Sequence, residues 1–210
     1  MPSNRSAAGL TERVEALWSD SIGALEAARS LTGVVAEAAE ALAGVLDNGG
    51  KILICGNGGS ASDSLHFSSE LLNKFHRVRR PLAAISLAAD VSTLTSIAND
   101  DSYEAVFARQ VEALGRPGDI LVLITSSGNS PNILRAAGAA QAADMRCIAL
   151  NGKGGGALSP LLRERDIDIV APGRSTARIQ ETHGIIIHAF CELIDHQLFG
   201  EPGHGDPLVS

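Results

Sequence analysis

The chain has 210 residues, is 45% hydrophobic but only 3% aromatic, and carries a formal net charge of −7. That length sets one domain as the ordinary expectation, and the acidic balance argues against a nucleic-acid backbone as main partner, because affinity there rests on Lys and Arg neutralising phosphates. A core so poor in aromatics must be built from Ala, Leu, Ile and Val, a mix that suits helices packed on a parallel sheet.

In chain order, the opening MPSNRSAAGLTERVEALW shows no apolar signal core, and no apolar run approaches the ~18 residues needed to span a bilayer. A soluble, cytoplasmic protein is expected, with no membrane partner. Residues 10–46 are apolar at helical spacing, with Thr11 as a weak cap. One or two long helices fit, stopped by Asn48-Gly49-Gly50. Part of their apolar face is a candidate oligomer surface, with core packing as the plainer alternative. From there the chain alternates. Strands are expected at 51–55, 82–86, 119–125, 145–150 and 166–170. Helices are expected at 61–74, 91–97, 103–115, 131–143, 157–165 and 177–199. Strands alternating with helices predict an α/β fold, a doubly wound five-stranded parallel sheet with helices on both faces. Ligands in such sheets sit beyond the carboxyl ends of the strands. The last stretch, GEPGHGDPLVS, is rich in Pro and Gly and reads as a frayed tail.

Two loops at expected strand ends carry chemistry. The first is Gly56-Asn57-Gly58-Gly59-Ser60, the second Thr125-Ser126-Ser127-Gly128-Asn129-Ser130. Each runs into a helix N-terminus, where backbone N–H groups and the helix dipole favour an anion, usually a phosphate. Neither is a Walker A or a dinucleotide loop, because Gly-Lys-Ser/Thr and the G-x-G-x-x-G spacing are missing. His66 and Glu70, four apart, share one helix face and can reach one metal ion or one substrate edge. Gln180, His183 and His188 fall in the last helical run. Gln180 and His188 point almost the same way but stand ~12 Å apart along an ideal axis. Either Gln180 lies outside the helix proper, or different copies of the chain contribute. His183 is ~120° off the His188 face and reads as a packed or interface residue. Asn99-Asp100-Asp101 reads as a turn or cap, or as a polar patch for substrate hydroxyls.

Other features are plainer. The run His76-Arg77-Val78-Arg79-Arg80 reads as a solvated loop, or else an anion-binding edge. Cys55, Cys147 and Cys191 lack CxxC spacing, so neither a thiolate zinc site nor a disulfide framework is suggested. The absence of G-x-S-x-G disfavours a nucleophilic hydrolase.

Together CGNGGSASDSLHFSSELLNKF, SIANDDSYEAVFARQVEALG, GDILVLITSSGNSPNIL and ARIQETHGIIIHAFCELID resemble the sugar isomerase (SIS) domain family, and within it the phosphoheptose isomerases. The resemblance implies a flavodoxin-like sandwich at 51–200. It implies an N-terminal helical segment at 1–50 packing on that domain and on partner subunits, with a flexible tail at 201–210. It implies one zinc ion per subunit, held by His66, Glu70, Gln180 and His188, with Glu70 and His188 as acid/base groups. Asn57, Gly58, Gly59, His66, Glu70, Asn99, Asp100, Thr125, Ser126, Ser127, Ser130 and Gln180 would hold the phosphosugar. A homotetramer with sites at subunit interfaces is implied, as is conversion of sedoheptulose 7-phosphate to the aldoheptose 7-phosphate, the first step toward ADP- or GDP-heptose. One departure is Ala88-Ala89-Asp90, where the family has a Thr-Asp pair. Two alternatives stand beside this reading. One is a catalytically silent scaffold binding a replication initiator, a branch whose arginines Arg174 and Arg178 resemble. The other is an isomerase for another phosphosugar, or a sugar-phosphate sensor. Retention of His66, Glu70 and His188 speaks for an enzyme.

Overall fold

A computed structural model describes residues 7–201. Helix α1 (Ala7–Ala28) and helix α2 (Thr32–Asp47) are joined by a 3-10 turn. Thr11 therefore lies inside α1 rather than at its start. Leu10, Val14, Leu17, Trp18 and Ile22 remain exposed along α1, a ridge at helical spacing. Helix α2 buries Ala38, Ala39, Leu42, Ala43 and Leu46, then stops where Gly49 takes a positive φ.

Five strands come next: β1 (Ile52–Gly56), β2 (Ala84–Ser86), β3 (Ile120–Ile124), β4 (Arg146–Asn151) and β5 (Ile167–Val170). All pair in parallel, in the order β2-β1-β3-β4-β5. The strands β1 and β3 are buried at every position. That explains why they read as unbroken apolar runs. Their side chains alternate between two cores. Ile52, Ile54, Ile120, Val122 and Ile124 pack with α2, α3 (Gly59–Leu72) and α7 (Thr176–Phe199). Leu53, Cys55, Leu121 and Leu123 face α5 (Ala108–Leu114) and α6 (Pro131–Ala142). The sheet is doubly wound, as the sequence predicts.

Three expectations need correction. Instead of a helix at 157–165 there are only short 3-10 turns, Lys153–Gly155 and Ser159–Leu161. Gly154, Gly155 and Gly156 all adopt positive φ there, and Pro160 disfavours any longer helix through the second turn. The expected helix at 103–115 is a 3-10 turn at Tyr103–Ala105 and then the short α5. Finally, the basic run is not simply solvated. The Arg79 side chain is 2% exposed and pairs with Asp195 of α7 at 2.8 Å. Its other nitrogens donate to the carbonyls of Glu70 at 2.8 Å and Leu71 at 2.7 Å. Burying a guanidinium is tolerable when its donors are used this fully.

Helix α4 (Val91–Asp100) is capped by Asp90, whose carboxylate accepts from the Ser92 and Thr93 amides. The Thr93 hydroxyl and these amides hold the Asp90 carboxyl below its ordinary value. No helix among the described residues is long and apolar enough to cross a membrane. The predicted tail lies outside the described residues except for Glu201.

Candidate active site

The chain runs from β1 out to β2 and then crosses back to β3, so strand order reverses between β1 and β3. In an open parallel sheet the crevice forms at such a switch point, beyond the strand carboxyl ends. The loops after β1 and β3 are the two hydroxyl- and glycine-rich segments.

The first loop turns abruptly. A Cβ on Gly56 would stand 2.4 Å from the Ser60 carbonyl oxygen, and Gly58 adopts φ +57°. Only glycine allows the chain to fold back this tightly into α3. A Cβ on Gly59 would meet the Gln180 amide at 2.6 Å, so α7 lies against the loop. The second loop is cross-braced. Thr125 is buried, and its hydroxyl accepts from the amides of Ser127 at 3.4 Å and Gly128 at 3.2 Å. Thr125 thus shapes the loop from inside. Asn129 donates to the Ser127 carbonyl at 2.9 Å and accepts from the Ala157 amide at 2.9 Å. Gly128 has φ +65°, and a Cβ there would collide with Gly155. Ser126, Ser127 and Ser130 are half-buried, and the Ser127 hydroxyl accepts from the Asn129 amide at 3.2 Å.

Helices α3 and α7 run side by side in the same direction. Ser60 faces Gln180, and His66 faces His188. The His66 Nε2 stands 3.2 Å from the Glu70 carboxylate and 3.3 Å from the His188 Nε2. Phe75 flanks His188 at 5.7 Å between ring centres. Donors at 2.0–2.1 Å from a tetrahedral zinc are about 3.3 Å from one another, so both spacings suit two edges of such a site. Both spacings share His66. No group of three or more His, Cys, Asp or Glu side chains among the described residues closes into a metal cage. The donor set fits zinc as an incomplete one. Gln180 stands eight residues before His188 on the same helix, ~12 Å along its axis. It lies within α7, its amide donating loosely to the Ser60 hydroxyl at 3.5 Å. That removes the option of a Gln180 outside the helix.

Asn99 and Asp100 end α4, exposed, with the Asn99 amide donating to the Asp100 carboxylate at 2.7 Å. Sequence reasoning missed three residues nearby. Asn132 and Tyr103 both hydrogen-bond to Asn57. Asp63, one turn before His66, has a buried carboxylate oxygen with no partner. Burial raises its pKa while His66 pulls it down. No spacing rule finds Asn132 or Tyr103, because their link to Asn57 exists only across the sheet.

His183 is fully buried, and its Nε2 donates to the Asn151 carbonyl at 2.9 Å. That assigns the neutral tautomer, with a bare Nδ1 that finds no partner. Burial holds its pKa below the ordinary 6.5, opposed by the Asn151 bond. The unfolded chain therefore takes up a proton near that pH which the folded chain refuses. Its contribution to stability is whole above that pH and is lost as pH falls below it. The melting temperature should drop on acidification from neutrality, and His183→Gln should flatten that drop; parallel wild-type and variant curves would disprove it. The three cysteines are buried and unpaired. Burial pushes the Cys147 thiol up to about 12 and raises the other two as well, so none is a nucleophile.

The fold and the paired loops define a SIS domain, and the family model described as "SIS domain" matches residues 19–152. Similarity extends further in named relatives. A phosphoheptose isomerase of Methylococcus capsulatus is 56% identical over 191 residues, 90% of this chain and 98% of that protein. The structure of a phosphoheptose isomerase from Neisseria gonorrhoeae superposes with a TM-score of 0.85 at 46% identity, covering 89% of this chain and 98% of the other. One from Francisella tularensis gives 0.86 at 43%, with the same coverage. The chain belongs to the phosphoheptose isomerase family of SIS-domain proteins.

Proposed function

We propose that this chain is an aldose–ketose isomerase converting sedoheptulose 7-phosphate to D-glycero-D-manno-heptose 7-phosphate through an enediol. The observation that carries this reading is the meeting of His66, Glu70 and His188 on helices whose N-terminal ends border the first loop. The names of the similar proteins support the same substrate.

In this mechanism the phosphate sits on the amides of the first loop and the hydroxyls of Ser126 and Ser130. That binding energy orients the sugar's reacting end toward α3 and α7. Glu70 removes a proton from C1 while O2 gains one, giving the enediol. O1 then loses its proton as the Glu70 carboxyl returns one to C2. His188 hands the oxygen protons across. His66, Glu70 and His188 would hold a zinc ion, which when bound supplies Lewis-acid polarisation of the carbonyl oxygen. Gln180 of a neighbouring copy would supply the fourth donor, which places the site at a subunit interface and suits a homotetramer as the working unit. The unpaired cysteines suit a reducing cytoplasm. The silent-scaffold reading is not favoured, because the His66–Glu70–His188 meeting would have no use in it.

The test is conversion of sedoheptulose 7-phosphate by metal-stripped and zinc-reloaded protein side by side. Zinc-restored formation of the aldoheptose phosphate is expected. A folded, zinc-loaded protein without turnover overturns the reading.

A further inference from the structure

We propose that Asn132, backed by Tyr103, is a positioning residue that clasps the first loop to the second and so sets the spacing of the anion cradle. This rests on the reading of the two loops as a phosphate site.

Strands β1 and β3 pair in register as far as Gly56 and Ile124. Beyond that rung the two chains leave for separate helices. Among the described residues no backbone hydrogen bond crosses between 57–60 and 125–131. Both segments contain a glycine at positive φ, Gly58 and Gly128, so neither is stiff by itself. What crosses is a pair of side-chain amides. Asn57 donates to the Asn132 oxygen at 2.9 Å, and Asn132 donates back to the Asn57 oxygen at 2.8 Å. Asn132 is 3% exposed, at the second position of α6. An amide buried that deeply is costly unless it is bonded, so the reciprocal pair is strongly preferred over either partner alone.

Tyr103 adds a third bond. Its hydroxyl donates to the same Asn57 oxygen at 3.0 Å. A carbonyl-type oxygen has two lone pairs, and both are now used. The Asn57 side-chain oxygen is therefore committed to the clasp, and one of its two N–H donors with it. Tyr103 stands three residues after Asp100, so the clasp also ties in the polar end of α4. All three segments expected around the substrate meet at one node.

A merely structural amide pair predicts something different from a positioning one, and a double-mutant cycle separates them. The variants are Asn57→Ala, Asn132→Ala, the double, and Tyr103→Phe. The readouts are affinity for inorganic phosphate by calorimetry, KM against kcat with sedoheptulose 7-phosphate, and melting temperature. Asn132→Ala should weaken phosphate about tenfold, the size of one or two lost neutral hydrogen bonds. KM should rise in step, with kcat nearly unchanged. The double variant should be no weaker than the worse single one. Tyr103→Phe, which preserves the amide pair and serves if Asn132→Ala does not fold, should lose about threefold for one bond.

Unchanged phosphate affinity in folded Asn132→Ala, additive penalties in the double variant, or a wild type that binds no phosphate each overturn the proposal. A wild type that binds phosphate and shows the cycle, yet does not turn over the heptose phosphate, upholds the clasp and overturns only the assigned substrate.

Discussion

Glu70→Gln should leave the fold intact and lower isomerase turnover by about 10²–10⁴-fold, the range for loss of one positioned acid–base group. The substitution keeps the side chain's shape and an oxygen toward His66, while removing its capacity to hold the C1 proton. The backbone role of residue 70 is untouched, because its carbonyl still accepts from Arg79 at 2.8 Å. Turnover of sedoheptulose 7-phosphate, zinc content and a thermal melt should be measured on the same preparation. Zinc retained with turnover lost isolates the proton-transfer role. Zinc lost together with turnover assigns Glu70 first to the metal. Turnover at the wild-type rate would sink the assignment.

The largest stability effect should come from Arg79→Leu. It removes the ion-pair partner of the Asp195 carboxylate, which is 7% exposed. It also removes the donor serving carbonyls at the end of α3. Breaking a buried pair from one side typically costs about 3–5 kcal/mol, which for a chain of this size is a fall of roughly 10 °C in melting temperature. Removing both charges is far milder than removing one, so Arg79→Leu with Asp195→Leu should recover part of the loss. Arg79→Lys should not, since an ammonium cannot fork between Asp195 and two carbonyls. A midpoint for Arg79→Leu within about 1–2 °C of wild type, on the same scale, would show that the pair is dispensable.

These two residues mark what the sequence makes legible. Strands β1 and β3 are plain because both faces of a doubly wound sheet are buried and every position is apolar. The His66–Glu70 pair is plain because helical spacing places both on one face. Arg79 is hidden by its own composition, since a run of basic residues ordinarily lies in water. Its partner is 116 positions away, and nothing local announces it. Asn57 and Asn132 are likewise 75 apart, and a single Asn after a strand looks like any other turn residue. The stretch at 157–165 misleads for the opposite reason. Its apolar spacing is helical, but three consecutive glycines at positive φ set the incoming chain on another course. Local periodicity reveals what one element does alone; pairing across the sheet is a property of the closed fold.

The exposed ridge on α1 has a practical consequence for all of these measurements. Trp18 is the chain's only tryptophan and is 66% exposed there, away from both sheet cores. Its intrinsic fluorescence is accordingly a reporter of what covers that helix, shifting to the blue when another surface excludes water from the indole. It is nearly blind to melting of the sheet beneath. Emission and circular dichroism tracked together would therefore resolve assembly and unfolding as two optical signals from one unlabelled sample.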